Sequence, residues 1–292
     1  MFAIIEAPSN LGLRPTGVEL LPMALLQAGL ADGLGARHAG RVAAPPYDSR
    51  RDPETKMLNP HAIAAYAVRL ADAIDGVIAA GEVPVVLGGD CSIILGPTLA
   101  MRRRGRHGLW FVDGHTDYYQ PEANVNGEAA SSDLALATGQ GPRVMTELEG
   151  FCPLVRPEDV VAFGRRDNDE AAHFGSNEPP PALLVIDLDE IRRTSIDAAV
   201  RRALDRLDRD ELAGFWLHVD ADVLDDAILP AVEYRLPGGL SFAELTTVLR
   251  AASGSGRLVG FDVTVLNPAL DEGERCARDL MRTLVAGLRR GG

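Results

Sequence analysis

The chain has 292 residues, 46% of them hydrophobic, and 42 acidic against 29 basic side chains give a net charge of −13. That length is ample for a large core, no run of about 18 uncharged apolar residues marks a membrane span, and the negative field repels nucleic acid and anionic membranes. Cys91, Cys152 and Cys276 lie far apart with no C-x-x-C spacing, so a disulfide framework and a zinc knuckle are not indicated and reduced thiols are expected.

The chain opens on "MFAIIEAPSNLGL". It has neither the basic start nor the long apolar stretch of a secretory signal, so the cytoplasm is the expected location, and "FAIIEAP" reads as a buried strand. Helical spacing follows in "GVELLPMALLQAGLADGL" and "PHAIAAYAVRLADAIDGVIAAG". Next comes "VPVVLGGDCSIILG", residues 84–97, an apolar strand that runs into two glycines, an aspartate and Cys91. A thiol at the exit of a buried strand can be a nucleophile, a metal ligand or packing. The basic run "RRRGRH" at 102–107 reads as the cap of a solvated helix end. "GLWFVDG" is the next strand, and the polar, aperiodic segment 118–133 that follows is a candidate binding loop.

Further along, "DVVAFGR", "ALLVIDLD", "GFWLHVDAD" and "RLVGFDVTVLNP" read as strands, while "SIDAAVRRALDRLDRDELAG" and "SFAELTTVLRAAS" read as helices. Alternating strands and helices, with no repeat or linker between them, predict an α/β fold. The expected form is a three-layer α/β/α sandwich with a mostly parallel central sheet, in a single domain over 1–292.

Polar residues gather at the strand ends. "WFVDGHTD" sets Asp113, His115 and Asp117 at alternate positions, and an extended backbone would point all three the same way. "LHVDADVLDD" repeats the device with His218, Asp220 and Asp222. A lone aspartate at a strand end is usually a turn former or helix cap. Two such clusters point instead to a cation that offsets their repulsion and desolvation. Carboxylates with one imidazole suit a hard or borderline divalent pair such as manganese better than a thiolate zinc site.

"GGDCS", "DGHTD" and "HVDADVLD" stand in the order of the three metal motifs of the ureohydrolase family, which includes arginase, agmatinase and formimidoylglutamase. With "GLS" at 239–241 and "GFDVTVLNP" at 260–268, the chain resembles that family from residue 84 to 290, and its first strand and helix suit the same arginase-like layout. The resemblance implies two manganese ions at the strand ends, sharing a water, and hydrolysis of a carbon–nitrogen bond in a guanidino or amidino small molecule. It implies that Asp113 and Asp220 touch both ions, that Asp117 completes one site with the position held by Cys91, and that His115 and Asp222 complete the other. Asp117 would carry a proton to the leaving amine. Tyr119, Asn124 and Asn126, with Asp167 and Asp169, match the family's substrate-binding positions. Assembly as a homo-oligomer, a trimer or hexamer, is also implied.

Three positions depart from the family pattern. Cys91 stands where the family has histidine; a thiolate there would favour zinc, iron or cobalt, and a neutral thiol would leave that site one ligand short. The same cysteine is similar to that of family members that hydrolyse hydroxyarginine in antibiotic-building pathways. The proton-shuttling loop histidine falls on Ala130, with Ser131, Ser132 and Asp133 as its polar neighbours. The acid that holds the guanidinium in arginase falls on Val265, which argues against L-arginine as substrate.

Two other functions stay open: a non-catalytic binding or assembly subunit, and a metal-free enzyme with Cys91 as nucleophile and His115 as base. The acids around Cys91 argue against the second. His218 reads either as a donor that orients a ligand carboxylate or as a hydrogen-bonded core histidine. Glu233 reads as a solvated loop acid with an alternative role toward a cationic substrate, and Asp187 and Asp189 read as structural.

Overall fold

The computed structural model describes residues 1–289, so the last three residues of the single domain assigned to 1–292 lie outside the described residues. Its strands are β1 (Phe2–Ala7), β2 (Arg37–Arg41), β3 (Val83–Gly88), β4 (Gly108–Val112), β5 (Val160–Phe163), β6 (Leu184–Ile186), β7 (Phe215–Asp220) and β8 (Leu258–Thr264). They form one sheet in the order β2-β1-β3-β8-β7-β4-β5-β6, and every neighbouring pair is parallel. The expected mostly parallel sheet is therefore parallel throughout. Every residue of β4, β5 and β7 is buried, as the unbroken apolar runs require of strands covered on both faces.

The helices are α1 (Leu21–Gln27), α2 (Leu30–Leu34), α3 (Pro60–Ala79), α4 (Leu95–Arg104), α5 (Asp133–Ala137), α6 (Arg143–Thr146), α7 (Asn168–Phe174), α8 (Leu188–Arg193), α9 (Ile196–Leu207), α10 (Phe242–Gly254) and α11 (Arg275–Leu288). Side chains alternate across each strand and divide the core in two. Ile5, Val86 and Phe111 pack with Ile63, Leu70, Leu99 and Leu134 of α3, α4 and α5 on one face. Ile4, Val85 and Val219 pack with Leu25, Val200, Leu249 and Leu284 of α1, α9, α10 and α11 on the other. The result is the expected three-layer sandwich. None of the helices among the described residues is long and apolar enough to cross a membrane.

Several elements differ from the sequence reading. The first helical pattern breaks at Gly29, whose φ of 95° ends α1 and starts α2. The strand read in "ALLVIDLD" stops at Ile186 because Asp187 turns the chain and accepts the Glu190 N–H as cap of α8. Edge strand β2 has no apolar run, being "RHAGR", and is held by its pairing with β1. Ser241 and Glu244 form a reciprocal capping box that starts α10 where its sequence pattern begins. Of the basic run, Arg103 spans Asp72, Asp75 and Glu149, tying the end of α4 to α3 and to the loop after α6.

All strands point the same way, so β3, β8, β7 and β4 end side by side. The chain leaves β3 and returns in β4 three places along the sheet, across β8 and β7. This reversal of strand order opens a crevice at the carboxyl ends. Gly89 lets the exit of β3 close against the loop after β1, because a Cβ there would lie 1.7 Å from the Ser9 carbonyl oxygen. Gly89→Ala is expected to cost about 3 kcal/mol of stability, read from urea unfolding midpoints at unchanged m-value.

Candidate active site and metal centre

The turn after β3 is braced before it reaches Cys91. Asp90 accepts the Ser92 N–H at 2.9 Å and the Ser9 hydroxyl at 3.0 Å, so the aspartate of "GGDCS" is a structural cap and the cysteine behind it faces the crevice. Cys91 is 2% exposed; its thiol donates to Asp220 Oδ2 at 2.6 Å and lies 3.3 Å from Thr264 Oγ1. Burial pushes this thiol well up, and Asp220, Asp133, Asp113 and Asp117 push it further. A nucleophilic thiolate is disfavoured in that setting.

After β4 the acids converge by a turn and not by an extended strand. The strand ends at Val112, and Asp117 takes a left-handed φ of 48°. Asp113 Oδ1 accepts the His115 N–H at 2.6 Å, and His115 Nδ1 lies 2.9 Å from Asp222 Oδ2. Burial lowers the His115 pKa, but Asp222 and then Asp113 outweigh it and raise the imidazole to about 9. Asp222 is pushed up by burial yet held below its usual value by His115. Arg166 fixes the segment after β7 by donating to the carbonyls of Asp222, at 2.8 Å, and Leu236, also at 2.8 Å. A Cβ on Gly114 would lie 2.4 Å from that guanidinium.

The carboxyls of Asp113, Asp117, Asp133 and Asp220 are each raised well above the ordinary range, by burial first and then by the neighbouring acids. Asp113 Oδ2, both Asp133 oxygens and His218 Nε2 are buried without a hydrogen-bond partner. Three overlapping groups hold ligand atoms within 4.8 Å of one another: Cys91, Asp113, His218 and Asp220; Cys91, Asp117 and Asp133; Asp113, His115 and Asp222. Orphaned oxygens and nitrogen among crowded acids fit divalent cations, which would supply the missing partners and offset the repulsion.

A cavity of about 150 Å³ opens over this floor. Cys91, His115, Asp117, Asp220 and Asp222 reach it from below, and Tyr119, Asn124, Asn126, Ala130 and Ser131 of the 118–133 segment form one wall. Glu170 and Phe174 of α7, with Glu233, Tyr234 and Val265, form the rest. Glu233 is therefore a half-buried wall residue and not a solvated loop acid; it accepts the Asn267 amide at 2.6 Å. Asn124 spends its amide within the loop, donating to Glu128 O and Ser132 Oγ and accepting the Gly127 N–H. Asn126 donates to Glu128 and to the Tyr234 hydroxyl at the rim.

Asp167 does not line the cavity: it accepts the Thr116 N–H at 2.9 Å and hydroxyl at 2.6 Å, which braces the turn between His115 and Asp117. Asp169 is exposed on α7 and also lies outside the lining, where Glu170 takes part instead. Glu170 and Tyr234 carried no signal in the sequence, since each is one polar residue in a segment whose path only the fold reveals.

The arginase family model matches residues 1–287. The chain belongs to the arginase family. It is 31% identical to an arginase of Brucella melitensis, covering 97% of this chain and 95% of that protein. It is 27% identical to an arginase of Bacillus caldovelox, covering 94% and 93%. The crystal structure of arginase from Bacillus cereus superposes with a TM-score of 0.86 at 25% identity, over 100% of this chain and 99% of that one. Members of the family are hydrolases with a binuclear metal centre, and the acid-rich floor offers candidate ligands for such a centre.

Proposed function

We propose that this family member is a metal-dependent hydrolase that cleaves a carbon–nitrogen bond of a guanidino or amidino small molecule other than L-arginine. The observation that carries the reading is the set of unpartnered buried carboxylate oxygens beneath an acid-walled cavity. Asp113 and Asp220 would each touch two ions; Cys91 and Asp117 would serve one, and His115 and Asp222 the other. When bound, a divalent pair supplies Lewis acidity and makes hydroxide available near neutral pH. Manganese suits the oxygen donors, while zinc, iron or cobalt become competitive through Cys91.

The chain's own residues supply binding and proton transfer. Asp117 lines the cavity and is buried, and its carboxyl would take a proton and pass it to the leaving amine. Asp167 holds the turn on which Asp117 sits. Tyr119 and Asn126 give the loop wall polar contacts, and Asn124 keeps that loop in shape. Val265 is 4% exposed and occupies the position of the guanidinium-binding acid, so an arginine side chain directed there would leave a buried cation unpaired. Charge recognition passes to Glu233 and Glu170 on the same cavity. Assembly as a trimer or hexamer is part of this reading and is checked by light scattering.

Two experiments test the substrate. Manganese-loaded protein given a panel of guanidino and amidino compounds is expected to release urea or ammonia from at least one and to leave L-arginine largely intact. No release from any compound at full metal loading would favour the non-catalytic subunit. With an active substrate in hand, Glu233→Gln is expected to raise KM by roughly 10- to 100-fold with a smaller change in kcat, the loss of one charge-assisted contact.

A further inference from the structure

His218 lies in the middle of β7, where its ring is 0% exposed, and its surroundings fix it in a single orientation. The β7–β8 register sets it opposite Asp262, and the β4–β7 register sets it opposite Phe111. Its Nδ1 lies 2.5 Å from Asp262 Oδ2, and the Phe111 ring stacks on it at 4.7 Å between centroids with 16° between planes. Asp262 also accepts the Trp216 indole N–H, so the carboxylate itself is anchored. With the Nδ1 proton directed to Asp262, the neutral tautomer leaves a lone pair on Nε2. That atom is buried, has no hydrogen-bond partner and lies 3.9 Å from Asp113 Oδ2, itself unpartnered. Cys91 Sγ and an Asp220 oxygen complete the group within 4.8 Å.

An imidazole held at one nitrogen by a carboxylate and bare at the other is the arrangement found at metal-ligating histidines, where the carboxylate fixes the tautomer and raises ligand basicity. We infer that His218 Nε2 is a ligand to the ion on the Cys91 side, so that the imidazole missing from the exit of β3 is supplied from β7, two residues before Asp220. Cys91 then lies beside an ion that already has its nitrogen donor, and its thiol need not ionise for that site to fill. The His115 and Asp222 side is unchanged.

The inference rests on the metal-dependent reading above, and the test separates the two. Metal content after dialysis and calorimetric titration with manganese are measured for the wild type, His218→Ala and His115→Ala. The wild type is expected to hold two ions. His218→Ala is expected to weaken one of them by about 100-fold or more and keep the other; His115→Ala is expected to affect the opposite ion. Two undiminished ions in a folded His218→Ala protein would overturn the ligand assignment and leave the metal-dependent reading standing. A wild type that holds no ion would overturn both. If His218→Ala does not fold, the cobalt(II)-loaded wild type decides by proton NMR. Paramagnetically shifted imidazole protons from two histidines are expected, and shifted protons from His115 alone would overturn the inference.

Discussion

Asp113→Ala and Asp220→Ala are each expected to lose both metal ions and to lower hydrolysis by more than about 100-fold. Either carboxylate stands between the two sides of the floor. Asp113 shares one ligand group with Cys91, His218 and Asp220 and another with His115 and Asp222, and Asp220 lies against the Cys91 thiol on one side and accepts the Asp222 N–H at 2.7 Å on the other. Metal analysis after dialysis, paired with a folding check by circular dichroism, reads the result. The contrast with Asp169→Ala is informative: that carboxylate is exposed and outside the cavity, so its removal is expected to leave metal content unchanged. Full retention of both ions by Asp113→Ala would show that the orphaned Oδ2 has another purpose.

The second large effect is on stability and its dependence on pH. In metal-free protein, burial and mutual repulsion raise the carboxyls of Asp113, Asp117, Asp133 and Asp220 above their unfolded values. Between the unfolded value near about 4 and the raised folded values, the folded chain then binds more protons than the unfolded one, so stability falls as pH rises through that window. Asp222 has the opposite sign: it is depressed in the fold by His115, and its contribution is lost only as pH falls through the lowered value. Above about pH 5 Asp222 is ionised in both states and adds no slope, while His115, raised to about 9, adds to the fall, so the slope contributed by the site is negative. Chelated protein is therefore expected to melt at progressively lower temperature from about pH 5 to about pH 8, whereas manganese-loaded protein keeps its Tm because the ions hold the carboxylates ionised. Differential scanning fluorimetry with and without chelator checks this. A chelated protein that gains stability with pH would mean that the acids are relieved by something other than a cation.

Much of this was legible in the sequence because strands covered on both faces must be continuous apolar runs, and the acids that follow them stand out sharply. β3, β4, β7 and β8 could be read that way, and so could the gathering of Asp113, His115, Asp117, Asp220 and Asp222 at the strand ends, although the turn after β4 and not an extended strand brings the first three together. Contacts across the sheet were beyond that reach. Parity along β7 puts His218 on the same side as Asp220, but only the β7–β8 register shows that Asp262 takes its Nδ1 and leaves Nε2 bare. Asp167 shows the converse. Its place in the motif suggested substrate contact, while the fold turns it inward onto Thr116. Glu233 looked like a loop acid until the bridge between Val232 and Leu266 drew its segment against Val265 at the cavity wall.

A two-ion floor beneath an acid-walled cavity is tested most directly by a crystal structure of the protein grown with manganese, with anomalous data. Two anomalous peaks are expected, one among Cys91, Asp113, Asp117, His218 and Asp220 and one among Asp113, His115, Asp220 and Asp222. A map with no peak at these residues would contradict it.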